Sequence, residues 1–284
     1  MKGIIISSIA GKYKIQCDTE IYECTAKGAF RSLRIKPLVG DDVEIDERNL
    51  VITAILPRRS ELIRPNVANI DHLIIVHSYL QPSFSFGLIF KYLTYANMNG
   101  IKASVVISKI DKCENKQDLQ GILEVFRSIS VPLYFVNSKT GEGVEEVKKI
   151  FANNIVALVG TSGVGKSTLL NAINPLYNRK EGEYSYSLKG GKHQTKEVVL
   201  LPYGSGYLVD TPGFYSLQLN LEKSELAKFY PGMYLRSQDC YYSNCLHLNE
   251  KQCAIKSDLA SGKLHKVIYE NYLQQLKEIE EERR

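Results

Sequence analysis

A chain of 284 residues has room for one large domain or two to three small ones, and a hydrophobic fraction of 44% supports a filled core. No apolar run approaches the ~20 residues that cross a bilayer, so the composition reads against a membrane protein. The net charge of +5 is modest and does not by itself announce a nucleic-acid binder.

The opening stretch MKGIIISSIAGKYK holds a short apolar run, but Gly11, Lys12 and Lys14 follow it where a signal peptide would carry a small-residue cleavage site. It reads as a strand of a folded, cytoplasmic protein. In that compartment the six cysteines suggest metal ligands or plain thiols, not disulfides.

Residues 1–64 predict five short strands, over Gly3–Ile9, Tyr13–Cys17, Ile21–Cys24, Asp42–Ile45 and Leu50–Ile55. Five such strands suit a small closed barrel, and an OB-fold and an SH3-like barrel leave much the same trace. The stretch from Lys27 to Lys36 carries Lys27, Phe30, Arg31, Arg34 and Lys36 with no anion. It offers cations for phosphates and a ring for a base, or else a solvated strand face. The Arg58–Pro65 segment looks like the exit from the barrel.

Buried strands then alternate with helices, the trace of a parallel sheet covered on both faces. Strands are predicted over His72–His77, Ala103–Ile107, Pro132–Val136, Ile155–Val159, Glu197–Leu201 and Gly206–Asp210. Helices are predicted over Phe84–Asn99, Lys116–Ile129 and Val144–Phe151, with another opening near Thr168. The run Gly160-Thr161-Ser162-Gly163-Val164-Gly165-Lys166-Ser167-Thr168 is a full phosphate-binding loop in strand–loop–helix context. Its glycines let backbone N–H groups crowd onto an anion at a helix N-terminus. Lys166 adds a cation and Ser167 a hydroxyl for Mg²⁺.

Further motifs sit at the strand ends. Asp210-Thr211-Pro212-Gly213 places Asp210 within reach of Mg²⁺ through water and the Gly213 N–H near a γ-phosphate. The polar segment Gly190–Lys196 sets Thr195 to close on Mg²⁺ and γ-phosphate. Ser108-Lys109-Ile110-Asp111 resembles the guanine-reading N-K-x-D, with Ser108 replacing asparagine. Asp111 can accept two hydrogen bonds from guanine that adenine cannot give. Asn137-Ser138-Lys139-Thr140 looks like the loop that backs the base. Ordinary GTPases place the phosphate loop first and the base loops last, so the order here is that of a circularly permuted P-loop α/β GTPase domain.

From about Leu219 strand character disappears. Cys240, Cys245, His247 and Cys253 give three thiolates and an imidazole, a donor set for one closed tetrahedral Zn²⁺ of structural type. A last helix is predicted over Leu264–Glu282. Cys17, Cys24 and Cys113, with His72, His77 and His265, read as structural side chains.

A barrel, a permuted GTPase and a Cys-x4-Cys-x-His-x5-Cys segment, in that order, closely resemble the RsgA (YjeQ/YloQ) family of bacterial GTPases that depend on the small ribosomal subunit. The likeness covers essentially the whole chain. It implies a multi-domain protein: an N-terminal OB-fold barrel over 1–64, a permuted GTPase domain over 65–218 and a helical zinc-binding domain over 219–284. It implies GTP hydrolysis to GDP and phosphate, stimulated by the small subunit and its rRNA, in late maturation of that subunit. By the same resemblance Lys166, Ser167, Thr195, Asp210 and Gly213 hold phosphate and Mg²⁺. Asp111, Lys109 and Ser138, with Ser108 and Lys139, frame the base. His193 looks like the family's catalytic histidine, needed because Phe214 stands where other GTPases carry a water-orienting glutamine. A monomer is expected. A large-subunit assembly GTPase, a GTP-sensing RNA-binding module and an ATPase are the competing readings.

Overall fold

The structure, a computed structural model, describes residues 1–32, 35–63, 65–175, 198–210 and 217–281. Thr195, His193 and Gly213 lie outside the described residues, as do Arg34 and Phe214. The chain forms two compact units. The first takes Met1–Ile74, Val144–Val159 and the described part of Lys166–Phe214. The second takes Ile75–Gly143, Gly160–Gly165 and the described part of Tyr215–Arg284. Among the described residues no helix is long and apolar enough to cross a membrane.

In chain order the elements are β1 (Lys2–Ile9), β2 (Lys12–Cys17), β3 (Glu20–Ala26), α1 (Ala29–Ser32), β4 (Asp42–Asp46) and β5 (Val51–Ile55). A short hairpin follows, β6 (Glu61–Ile63) and β7 (Asn66–Ala68). Then come β8 (His72–Ser78), α2 (Phe86–Met98), β9 (Lys102–Ser108), α3 (Lys116–Ser128), β10 (Leu133–Val136), α4 (Val144–Lys148), β11 (Ile155–Val159) and α5 (Lys166–Ile173). The last elements are β12 (Val199–Tyr203), β13 (Gly206–Asp210), α6 (Lys223–Phe229), α7 (Tyr234–Ser237), α8 (Ala254–Ala260) and α9 (Lys266–Glu281).

The first unit opens with a closed barrel of strand order β1-β2-β3-β5-β4, with β4 returning to β1. The pair β3–β5 is parallel, with Thr25 opposite Val51, and the others are antiparallel. That Greek-key order is an OB-fold and resolves the choice between barrels. Ile5, Ile15, Val43, Ile45 and Ile52 fill the interior. The basic Lys27–Lys36 stretch is not a strand face. It forms the connection between β3 and β4 and contains α1.

Beyond the barrel, β1 pairs with β12 (Ser7 opposite Val199), β12 with β13, and β13 with β11. The β11–β13 pair is parallel, as the sequence suggests. The β12–β13 pair is antiparallel, a departure from the expected all-parallel sheet. The cause is local. Only Gly204-Ser205 separates the paired residues Tyr203 and Gly206, and a two-residue turn can join only antiparallel strands.

The second unit carries the strand run β10-β9-β8, with β10 parallel to β9. Val105, Val106 and Ile107 are wholly buried, as a strand covered on both faces requires. Helix α2 packs against α6 and α9. Phe90 sits 5.8 Å from Tyr230, and Tyr230 sits 5.3 Å from Tyr272 of α9.

The barrel exit is a network of buried polar groups. Arg58 donates to both Asp41 oxygens, at 2.7 and 2.8 Å, and to the Lys36 carbonyl at 2.8 Å. Asn69 donates to the Gly40 carbonyl at 2.9 Å and accepts from the Arg59 amide at 2.7 Å. Gly40 has φ +91°, and a Cβ there would strike the Ala68 carbonyl. Arg59 joins Asp42 of β4 to Asp71, and the other Asp71 oxygen accepts from the Ile155 amide at the head of β11.

The Asp41 side chain is 0% exposed, so deleting its partner strands a buried carboxylate. Arg58→Ala is expected to lower stability by about 3 kcal/mol or more, read as a shift in urea midpoint. An unchanged midpoint would show that the pair contributes nothing net.

Candidate functional site

The phosphate loop needs a backbone that ordinary residues resist. Gly160, Gly163 and Gly165 have φ of +144°, +79° and +96°. A Cβ on Gly160 would collide with the Val76 carbonyl in β8, so this position is closed to any side chain.

Turning N–H groups outward turns the carbonyls inward, and these need donors. The last residue of β9 and the one after it supply them. The Ser108 hydroxyl donates to the Val164 carbonyl at 2.5 Å. Lys109 Nζ donates to the Gly163 carbonyl at 2.6 Å and to the Gln81 carbonyl at 2.7 Å. Lys109 sits in the left-handed region, φ 58° and ψ 38°, which swings its side chain back over the loop. Asp111 is exposed in the single turn Ile110–Lys112 that follows.

The register Val136 opposite Ser108 brings the segment after β10 alongside. There Asn137 Oδ1 accepts from the Lys139 amide at 3.1 Å, and the Asn137 carbonyl accepts from the Gly141 amide at 2.9 Å. Ser138 is half-buried and Lys139 exposed. Gln81 is a contributor that the sequence analysis passes over. Its signal is weak, a polar residue before Pro82 in a loop after a buried strand.

In the first unit, Lys166 opens α5, and burial pushes its ammonium down to about 8. Ser167 beside it is half-buried. Asp210 closes β13 and is 4% exposed. The register Val209 opposite Ala157 sets Asp210 level with Leu158, two residues before Gly160. On the barrel, Lys27 and Lys36 are exposed and Phe30 is half-buried, while Arg31 belongs to α1.

Cys240, Cys245, His247 and Cys253 bring their ligand atoms within 4.8 Å of one another. Cys240 Sγ lies 3.9 Å from Cys253 Sγ, and His247 Nδ1 lies 3.5 and 3.4 Å from those two sulfurs. Metal–sulfur bonds of about 2.3 Å in a tetrahedron put sulfurs about 3.8 Å apart, so the set fits a zinc ion. Burial pushes the Cys245 thiol up to about 12 and draws the His247 imidazole down. A bound dication would supply the charge that makes thiolates tolerable there.

The histidine's backbone is gripped from two sides. His247 has φ 60°. Glu250 accepts from the Leu246 and Leu248 amides at 2.8 and 2.7 Å. Burial works to raise the Glu250 carboxyl, but the amides it accepts from hold it below its usual range. From α9, Tyr269 donates to the His247 carbonyl at 2.7 Å and Tyr272 to the Leu246 carbonyl at 3.3 Å. Sequence reasoning finds the four ligands by their chemistry. It misses Glu250, Tyr269 and Tyr272, which act through backbone groups and leave no motif.

Comparisons with known proteins cover the same ground. The RsgA GTPase family profile matches residues 55–220, and that of the RsgA N-terminal domain matches 2–52. A relative from Halalkalibacterium halodurans, named small ribosomal subunit biogenesis GTPase RsgA, is 37% identical over 98% of this chain and 97% of its own. One of the same name from Clostridium acetobutylicum is 40% identical over 98% of each. The crystal structure of YjeQ from Thermotoga maritima matches with a TM-score of 0.82 at 32% identity, covering 98% of both chains. The structure of YloQ, a circularly permuted GTPase, matches with a TM-score of 0.83 at 32% identity, covering 99% of this chain and 95% of the other. With barrel, permuted order and cysteine cluster all present, the chain belongs to the RsgA GTPase family.

Proposed function

We propose that this GTPase acts in maturation of the small ribosomal subunit, hydrolysing GTP to GDP and phosphate when it meets that subunit and its rRNA. One observation carries the reading. Ser108 and Lys109, at the end of a strand that precedes the glycine-rich loop in the chain, hold the carbonyls on the back of that loop, which supports reading their segment as the guanine-recognising one. Names borne by full-length relatives supply the small subunit as partner. The domains divide as 1–64, 65–218 and 219–284, with cations of the Lys27–Lys36 stretch meeting rRNA.

In this reading Asp111 accepts two hydrogen bonds from guanine, and Ser138 and Lys139 back the base. The amides of residues 161–168 and Lys166 cradle the phosphates, with Gly213 at the γ-phosphate. Ser167, Thr195 and Asp210 would hold Mg²⁺, which neutralises charge on the phosphates when bound. His193 orients the water that attacks the γ-phosphorus as its bond to the bridging oxygen breaks. The test is turnover with separated subunits. Small subunits should raise the GTPase rate well above basal, and large subunits should not. No stimulation by small subunits, or equal stimulation by both, would end this assignment.

Lys166 gives a pH signature. Burial holds its ammonium near 8, so in the free protein it is largely neutral above that pH. Phosphates restore the charge, so binding takes up part of a proton at about pH 8.5 and almost none at about pH 6.5. Calorimetry of GDP binding in buffers of different ionisation enthalpy reads this directly. Lys166→Arg should abolish the uptake, because a guanidinium is charged throughout. Uptake that persists in that variant would assign the proton to another group.

The cysteine cluster holds one structural zinc. Metal analysis is expected to find about one zinc per chain. Cys245→Ala should lose it and lower the unfolding temperature of the 219–284 segment while GDP binding persists. Pure protein without zinc would remove the ion from the account.

A further inference from the structure

The barrel does not end at its own strands. Strand β1 pairs with β4 through its first half, Lys2 opposite Glu44 to Ile4 opposite Asp42. Its second half pairs with β12, Ser7 opposite Val199. Between the halves lies a bulge, because pairing with β2 passes from Ile5–Ile15 to Ser7–Lys14 and skips Ile6. A bulge bends and twists its strand, which lets one strand serve two partners on the same edge.

The residue that β1 meets is not arbitrary. Val199 is itself opposite Asp210 on β13. Ser7, Val199 and Asp210 therefore form one rung across three adjacent strands. Strand spacing puts the barrel backbone about 10 Å from the Asp210 backbone. Both ends are buried, Ser7 at 3% and Asp210 at 4% exposure, so neither can move without its neighbours. An electrostatic influence runs alongside the rung. Burial raises the Tyr207 phenol of β13, and the carboxylate of Asp42, on barrel strand β4, adds to the rise.

We propose that β1 is a positioning element for Asp210, so that the rung Ser7–Val199–Asp210 couples the nucleotide state at Asp210 to the barrel. This rests on the reading of Asp210 as the residue that meets Mg²⁺ beside the γ-phosphate. On that basis the coupling is reciprocal: whatever the barrel binds biases Asp210 by the same free energy with which Asp210 biases the barrel. The barrel is then part of the scaffold of the reaction, as well as a handle for RNA.

Hydrogen exchange on the full-length protein tests this, with GDP or a non-hydrolysable GTP analogue, each with Mg²⁺. Amides of residues 2–9 and 199–203 should differ between the two states by about fivefold or more, the lower end of ordinary coupling. The barrel pair β3–β5, which has no hydrogen bond to β1, should not change. The chain has no tryptophan, so Ile9→Trp at the exposed end of β1 gives a single emission that should shift between the same states. Equal exchange and unshifted emission in both states would overturn the proposal. So would Asp210→Asn protein that keeps the full difference in β1. A separate outcome addresses the underlying reading. If Asp210→Asn leaves the Mg²⁺ dependence of GTP affinity intact, Asp210 does not meet the ion, and the rung loses its input.

Discussion

Everything at the nucleotide site follows from one backbone constraint. Several consecutive amides must point at one anion, so the carbonyls between them must point away and find donors in a dry place. Here the Gly163 and Val164 carbonyls are held by Lys109 and Ser108, consecutive residues on another strand end. The end of β9 and the glycine-rich loop are thus one structure, whatever their order in the chain. This explains how the permutation is tolerated. It also bears on the serine at 108. A single hydroxyl proton suffices for the Val164 carbonyl, so a serine here keeps the link between the end of β9 and the loop.

The sequence displays these features unevenly. Strands β11 and β13 agree with the pattern to the residue, because buried apolar runs end where the motifs begin. The β6–β7 hairpin does not show, since strands of three residues leave no periodicity. Helices α6, α7 and α8 hide for the same reason, at seven, four and seven residues. The direction of β12 is a different failure. Alternating strands and helices suggest a parallel sheet, and only the two-residue turn at Gly204-Ser205 reveals the exception. At the site, charged and thiol-bearing residues are legible because their chemistry has few other uses. Gln81 is harder, because it acts through a main-chain carbonyl that every loop residue possesses.

The cysteine cluster shows how much of its arrangement lies beyond the four side chains themselves. Thiols that burial drives up in pKa will not ionise unaided, and a left-handed histidine backbone is costly to hold. Glu250 satisfies the two amides flanking His247, and the α9 tyrosines satisfy its carbonyl and the one before it. The placement of the four side chains is therefore supported by hydrogen bonds from the surrounding fold. Tyr272 also packs on Tyr230, which packs on Phe90 of α2. The same ring that orients the cluster anchors the last helix to the body of the second unit.

The division of the chain gives the barrel its meaning. Its contacts place it with β11, β12, β13 and α5 in one compact unit. The junction supports this chemically. Arg59 bonds Asp42 on the barrel and Asp71, and Asp71 in turn fixes the first amide of β11. A tethered module would be joined by solvated linker residues, whereas Asp41 and Asn69 here are wholly buried and hydrogen-bonded. Burying such groups is unfavourable unless each partner is held in place, so the joint is rigid where a linker would be loose. A barrel fastened this way is joined through hydrogen bonds to the strand that leads into the glycine-rich loop.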